Sequence, residues 1–200
     1  ELLAEKNQVM NLTAITDPSE AARLHFLDSA ALLALADFRG TTVVDVGTGA
    51  GFPGLPLKIL EPSIRLTLLD AQRKRVDFLR EAGADLKLEG VEYVHGRAEE
   101  FAAKHRESYD IAVSRAVAAL PVLAELCLPL VKVGGRFLAM KSVDSDEELH
   151  AAGRAVQMLG GRLETPVDYG IYGTNIRHRL VIMTKISETP EKYPRTFAKI

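Results

Sequence analysis

The densest chemical signal in the chain is the run Val43-Val44-Asp45-Val46-Gly47-Thr48-Gly49-Ala50-Gly51-Phe52-Pro53-Gly54, with Asp70 downstream of it. A β-branched run gives way to closely spaced glycines and then to an apolar stretch, which reads as strand, turn and helix. Glycines at 47, 49 and 51 let the backbone turn sharply and let a ligand approach the main chain with no Cβ in the way. The loop amides are candidate donors to a bound group. Asp45 stands just before the turn, where its carboxylate can accept from loop amides and fix the loop's shape.

Two chemistries use such a loop. Residues 49–54 spell G-x-G-x-x-G and Asp70 lies about 20 residues on, as the dinucleotide fingerprint requires. Alternatively, Asp45 to Gly51 is the acid-x-Gly-x-Gly-x-Gly loop of S-adenosylmethionine enzymes, whose ligand has no pyrophosphate and whose ribose hydroxyls rest on an acid after the second strand. Three features favour the second reading. Dinucleotide loops usually lack an acid at the position of Asp45. Only about 130 residues follow Asp70, enough to complete one sheet but not a second substrate domain. No Tyr is followed four residues later by Lys, the base pair of one-domain dehydrogenases.

The elements that must position these residues alternate. Strand candidates are Thr42–Val46, Arg65–Leu69, Val91–His95, Ile111–Ser114 and Arg136–Met140, short apolar runs without strict alternation, as buried parallel strands require. Helical patterns lie between them, at about Gly54–Leu60, Arg73–Leu86, Glu99–Lys104, Leu120–Val131 and Glu147–Leu159. Arg162–Tyr169 and His178–Ile186 then follow with no room for a helix between them, so they should pair antiparallel at one sheet edge. Upstream, Glu1–Met10 reads as the end of a helix, and Asn11-Leu12-Thr13 breaks it. Asp17 is placed to cap a second helix, with Pro18 in its first position and Glu20 three after the cap, running to about Ala36. The expected architecture is α/β: a Rossmann-like, doubly wound parallel sheet ending in an antiparallel hairpin, preceded by helices. Residues 1–39 read as a helical arm, 40–187 as the catalytic domain and 188–200 as a basic tail, one compact domain overall.

Length and composition set bounds. At 200 residues and 47% apolar, the chain can bury a core without staples. A single Cys127 rules out a disulfide framework and suits a reducing, cytoplasmic setting. No apolar run approaches a membrane span; the longest, Phe26 to Phe38, is broken by Asp28, Ser29 and Asp37. The net charge of −2 excludes nucleic-acid binding by bulk basicity. The charge is uneven, however: residues 171–200 hold six Lys+Arg against two acids, leaving −6 on the remainder. No heptad run asks for a dimer, so a monomer is expected. The five histidines show no metal-ligand spacing, and no metal is expected. Cys127, inside an apolar helix pattern, reads as a core residue.

Longer matches extend across nearly the whole chain: Asn11-Leu12-Thr13-Ala14-Ile15, His25-Phe26-Leu27-Asp28-Ser29, DVGTGAGFPG at 45–54, His95-Gly96-Arg97-Ala98-Glu99, Ser114-Arg115-Ala116-Val117, Gly134-Gly135-Arg136-Phe137 and Lys192-Tyr193-Pro194-Arg195. In these stretches the sequence resembles the bacterial methyltransferases of guanine N7 in small-subunit (16S) ribosomal RNA, the RsmG family, once called glucose-inhibited division protein B. Members usually carry additional N-terminal helix, so the opening Glu1 reads as a trimmed start. The resemblance implies the class I methyltransferase fold and S-adenosylmethionine as cofactor. It implies that Gly47, Thr48, Gly49, Gly51 and Phe52 line the methionine and adenosine moieties, that Asp70 holds the ribose, and that Ala98 and Glu99 flank the adenine. Arg115 would stand at the mouth where the methyl group leaves, as the candidate catalytic residue.

Guanine N7 has an in-plane lone pair and no proton to lose, so attack on a sulfonium methyl needs positioning and desolvation rather than a general base. That matches the lack of an acid–base dyad. The Asp/Asn-Pro-Pro-aromatic turn of exocyclic-amine methyltransferases is absent; Ser114-Arg115-Ala116-Val117 stands in its place. Candidate contacts to 16S rRNA or the small ribosomal subunit are His25, Lys141, Arg177, Lys192 and Arg195, with Arg23 beside them. Arg73-Lys74-Arg75 reads as a solvated helix face. His25 and Asp28, three apart on a predicted helix, are read first as a structural pair. Two competing functions remain at this level: a methyltransferase of a small molecule or protein, and a catalytically silent cofactor-binding regulator.

Overall fold

The computed structural model describes residues 2–115 and 117–200. Helix α1 (Leu2–Met10) is followed by α2 (Pro18–Ala21), a wider π-type turn over Ala22–Leu27, and α3 (Asp28–Leu35). Asp17 begins this run as its sequence context implies. Its Oδ1 accepts from the Glu20 amide at 2.9 Å, and Pro18 occupies the first position, where no intrahelical donor is needed.

Strands and helices then alternate: β1 (Thr42–Val46), α4 (Gly54–Leu60), β2 (Arg65–Asp70), α5 (Arg73–Asp85), β3 (Val91–His95), α6 (Ala98–Lys104), β4 (Tyr109–Arg115), α7 (Leu120–Cys127), β5 (Val131–Ser142) and α8 (Asp146–Met158). The chain closes with β6 (Gly161–Leu163), β7 (Val167–Gly170) and β8 (Arg177–Lys185). Strand order is β3-β2-β1-β4-β5-β8-β6, with β7 also on β8. The first five strands are parallel and β8 runs antiparallel to β5. The order reverses between β1 and β4. At such a switch point the outgoing connections diverge and leave a crevice at the carboxyl ends of the strands.

Three elements depart from the sequence reading. Helix α7 ends at Cys127 rather than Val131, because Pro129 has no N–H to continue it and the chain tightens into a 3-10 turn, Leu128–Leu130. Strand β5 consequently starts at Val131, with an irregular register between Tyr109 and Ile111 of β4. The stretch expected as one strand, 162–169, is two. Pro166 interrupts it, and β6 and β7 pair separately with β8.

Side chains alternate across the sheet and bury two cores. Val44, Val46, Ala112 and Phe137 pack with α6, α7 and α8 on one face; Val43, Leu68, Val113 and Leu138 pack with α3, α4 and α5 on the other. Cys127 is fully buried in the first core, and burial pushes its thiol up. The last residues fold back onto the same face. The Arg106 guanidinium donates to the carbonyls of Thr189 and Tyr193, and Arg195 meets Glu125 of α7 through Nε at 2.9 Å and Nη2 at 2.6 Å. Arg106 follows α6 and Glu125 lies near the end of α7, so this docking is at the amino ends of the parallel strands. Among the described residues no helix is long and apolar enough to cross a membrane.

Candidate active site

The glycine loop is shaped by Asp45, which is fully buried at the end of β1. Its Oδ2 accepts from Thr48 Oγ1 at 2.7 Å and from the Gly54 amide at 2.9 Å. That approach requires glycine at 54, since a Cβ there would stand 2.8 Å from the same oxygen. Gly47 turns the chain at φ +70°, where a side chain is strained, and the space beside it is taken by Val117. Asp45 Oδ1 has no partner among the described residues. Burial pushes the Asp45 carboxyl up to about 6, against the hydrogen bonds from Thr48 and Gly54 that pull it down.

The loop amides do not project as a free cradle. Gly47 and Thr48 donate to the Leu69 carbonyl, Gly51 and Phe52 to Thr48 O, and Gly49 to Asp70 Oδ2 at 2.9 Å. A loop that spends its donors internally offers little to a pyrophosphate, which is a structural argument against the dinucleotide reading. Asp70, buried at the carboxyl end of β2, also accepts from the Gln72 amide at 2.8 Å and has Arg75 at 3.6 Å. Each of its oxygens retains acceptor capacity toward the crevice. Ala98 and Glu99 open α6 just past β3, one strand further along the same rim.

A second constellation closes the crevice on the side of β4. Arg115 ends that strand, and among the described residues its hydrogen-bond acceptors come from the N-terminal helices. Nη1 donates to Leu24 O at 3.0 Å and reaches Asp28 Oδ2 at 3.4 Å; Nη2 lies 3.0 Å from His25 Nδ1. A guanidinium only donates, so His25 Nδ1 accepts and the ring proton sits on Nε2, which donates to Thr13 Oγ1 at 2.7 Å. His25 is thereby neutral. Burial first, then the charge of Arg115, pull it from 6.5 to about 4. The imidazole stacks on Phe52 of the glycine loop at 4.6 Å, and the guanidinium lies 5.3 Å from the same ring. Asp28 is the fixed point. Buried completely, it also accepts from Tyr169 Oη at 2.8 Å and meets His178 Nδ1 at 2.9 Å. Burial and the carboxylate together push the Tyr169 phenol far above its ordinary value.

Beside Arg115 a cavity of about 530 Å³ opens between His25, Asp28, the end of β5 and the start of α8. In its lining Lys141 donates to Ala118 O at 3.2 Å and pairs with Glu148 Oε2 at 2.7 Å; that oxygen also accepts from the Leu120 amide at 2.9 Å. Burial opposes ionisation of Glu148, but these hydrogen bonds hold its carboxyl below the usual range.

The fold thus brings Gly47, Thr48, Gly49, Gly51, Phe52, Asp70, Ala98, Glu99, Arg115, His25 and Lys141 to one end of the sheet. Arg177, exposed at the start of β8, and Arg23 lie near that rim. Lys192 and Arg195 are not brought there: they belong to the segment docked at the opposite strand ends, with Lys192 over the Tyr193 ring and Arg195 bound to Glu125. The adjacent guanidinium, Arg179, is held by Asp168 and Asp146. His25 and Asp28 meet through Arg115 instead of pairing with each other. Sequence reasoning missed Tyr169 and Glu148, and it took Asp28 only as a partner of His25 and not as the hub that holds Arg115, Tyr169 and His178. A charged residue inside the apolar run Phe26–Phe38 was the available signal for Asp28, because such a charge survives burial only with partners. Among the described residues no cluster of His, Cys, Asp and Glu could hold a metal ion.

Comparison with known proteins decides what family carries this arrangement. The family described as rRNA small subunit methyltransferase G matches residues 1–172. The ribosomal RNA small subunit methyltransferase G of Clostridium botulinum (strain Loch Maree / Type A3) is 46% identical over 197 residues, 97% of this chain and 82% of that protein. The chain belongs to this family. The protein of the same description from Alkaliphilus metalliredigens (strain QYMF) is 48% identical over 198 residues, 98% of this chain and 83% of that protein. Solved structures agree on the fold. A SAM dependent methyltransferase from Aquifex aeolicus superposes with a TM-score of 0.61 at 20% identity, covering 90% of this chain and 97% of that one. The YcgJ protein from Bacillus subtilis gives 0.63 at 16% identity, covering 82% and 100%. Nothing in these relatives favours the small-molecule enzyme or the silent regulator.

Proposed function

We infer that the chain is an S-adenosylmethionine-dependent methyltransferase that modifies N7 of a guanine in 16S ribosomal RNA. The observation that carries this reading is the identity of 46% to 48% to ribosomal RNA small subunit methyltransferases over almost the whole chain. When bound, S-adenosylmethionine supplies an electrophilic methyl on a sulfonium sulfur, and guanine N7, with no proton to lose, needs no base to attack it.

The residues at the carboxyl ends of β1 to β4 suit that cofactor. Asp70 has acceptor capacity for two ribose hydroxyls, and the Asp45-shaped loop from Gly47 to Phe52 offers a surface without an anion cradle. Ala98 and Glu99 stand where an adenine edge would lie, beyond the ribose acid along the rim. Arg115, held by the N-terminal helices and set against Phe52, borders both this crevice and the neighbouring cavity, so it is the candidate positioning group for the methyl and its acceptor. The proposed RNA contacts near the rim are Lys141, Arg177 and Arg23; His25, buried with both ring nitrogens bonded, is left to orient Arg115. Lys192 and Arg195 lie at the other end of the strands, and the Arg195 guanidinium is occupied, so both are left out of this surface.

The test is methyl transfer. Purified protein with labelled S-adenosylmethionine is offered naked 16S rRNA and small ribosomal subunits lacking the modification, and the RNA is digested to nucleosides for mass spectrometry. Label in 7-methylguanosine is the expected result. No label in either substrate, with cofactor binding still measurable, overturns the reading.

A further inference from the structure

The cavity of about 530 Å³ next to Arg115 has a wall that the cofactor crevice does not use. A guanine has N7 on one side and, across the rings, a Watson–Crick edge with two donors, N1–H and the N2 amine, beside the O6 acceptor. An enzyme that presents N7 to a methyl donor must therefore read the donor edge, if it reads it at all, on the far side of the base. Acceptors are required there, and a carboxylate oxygen, with two lone pairs, can take both donors.

Three carboxylates line the cavity: Asp28, Asp144 and Glu148. Asp28 is completely buried and already engages Tyr169, His178 and Arg115. Asp144 is exposed on the turn after β5. Glu148 differs from both. Its Oε2 alone takes Lys141 and the Leu120 amide, which fixes the side chain between the end of β5 and the start of α7, while Oε1 has no partner among the described residues. Lys141, beside it, is a donor suited to O6. Ser145, at the N-cap of α8, also lines the cavity.

We propose that this cavity receives the target guanine flipped out of the RNA, and that Glu148 is the specificity-determining residue, its Oε1 accepting from N1–H and the N2 amine while N7 faces Arg115 and the glycine loop. The proposal rests on the guanine-N7 reading above. Enzymes that act on a base take it out of the stack and read its Watson–Crick edge in a pocket, so the arrangement has the form the reaction demands. Adenine is rejected by the same geometry: its N1 is an acceptor and meets the carboxylate with like polarity.

The experiment replaces the modified guanosine, located first by mass spectrometry, with inosine in a splint-ligated RNA; inosine keeps N7, O6 and N1–H and lacks only the N2 amine. Initial rates are compared for the wild-type chain and Glu148→Gln, with cofactor affinity of both measured by calorimetry as a check on folding. Wild type is expected to lose roughly 10- to 100-fold in kcat/KM on inosine, the effect of one hydrogen bond to a charged group. Glu148→Gln is expected to be slower on guanosine but to bind cofactor normally, and its inosine penalty should shrink to about threefold or less, since coupled losses do not add. Equal rates on guanosine and inosine for the wild type overturn the pocket while leaving the guanine-N7 activity intact, a result that needs no variant. Full, multiplicative penalties in Glu148→Gln overturn the assignment to Glu148. Absence of 7-methylguanosine on every RNA removes the underlying reading and the pocket with it.

Discussion

Mild acid should destabilise this protein through His25. In the folded chain the imidazole is buried between Thr13, Arg115 and Phe52, and it is held neutral down to about pH 4, whereas its ordinary value is 6.5. Between those two values the unfolded chain binds a proton that the folded chain refuses. Stability therefore rises with pH across this window: the contribution is present above 6.5 and is lost as pH falls towards about 4. Integrating the linkage relation from pH 7 to pH 5 gives a loss of about 2 kcal/mol from this one group. Asp45 runs the other way. Its raised folded value, about 6, makes burial of the carboxyl easier as pH falls, and the same integration returns about 1 kcal/mol over that interval. A single melting series would show only the difference, so His25→Asn is the informative comparison. Asn keeps an acceptor for Arg115 and cannot titrate, while Asp45 acts equally in both proteins. Circular-dichroism melts at pH 7 and pH 5 should show wild type losing about 4–8 °C more than the variant, at 2–4 °C per kcal/mol for a chain of this size. Parallel losses in the two proteins would refute the neutral, buried imidazole.

Other substitutions probe the remaining assignments. Asp70→Ala should weaken S-adenosylmethionine binding by about 1–3 kcal/mol in calorimetry, the effect of leaving ribose hydroxyls without an acceptor; unchanged affinity would sink the ribose role. Arg177→Glu should lower RNA affinity and flatten its salt slope by roughly 0.7–0.9 for each phosphate that is no longer neutralised. Arg195→Glu should instead lower the melting temperature, because it sets a second carboxylate against buried Glu125, and leave the salt slope unchanged; a flattened slope in filter binding would return the tail to the RNA surface. Gly54→Ala places a Cβ 2.8 Å from Asp45 Oδ2 and should cost about 1–3 kcal/mol in denaturant melts, with cofactor affinity falling alongside as the loop shifts; a neutral effect would mean that Asp45 does not set the loop.

Much of this arrangement was legible because it is local. The ends of β1, α4 and β3 fall where hydrophobic runs meet glycines and caps, and Asp45, the glycines and Asp70 are read from one stretch of chain and one strand beyond it. What periodicity missed was decided by backbone donors: Pro129 and Pro166 remove an N–H in the middle of patterns that otherwise continue. The partners of Arg115 and Glu148 escaped for a different reason. Asp28 lies 87 residues from Arg115, 141 from Tyr169 and 150 from His178, separations at which hydrophobic patterning says nothing about register. Those pairings follow from β8 entering the sheet beside β5, with His178 opposite Ser142. Charge counting could not show how the tail is held, since net positive charge does not distinguish a free guanidinium from one already bound to Glu125.

The Asp28 constellation also bears on how the parts of the molecule depend on one another. Arg115 is carried by the sheet, yet among the described residues its acceptors, Leu24 O, His25 Nδ1 and Asp28 Oδ2, come from the N-terminal helices. Its direction is therefore set by those helices and not by β4. Asp28 is in turn held by Tyr169 and His178 from the antiparallel edge, so the helices are oriented against both β4 and β8 through one buried carboxylate. Burying that charge costs several kcal/mol, and a hydrophobic replacement of similar shape often serves stability as well or better. A hydrophobic side chain, however, would not fix the plane of a guanidinium. If Arg115 positions the methyl donor and its acceptor, the network supplies orientation, which packing alone does not specify. Methyl transfer to an N7 that needs no base asks above all for orientation.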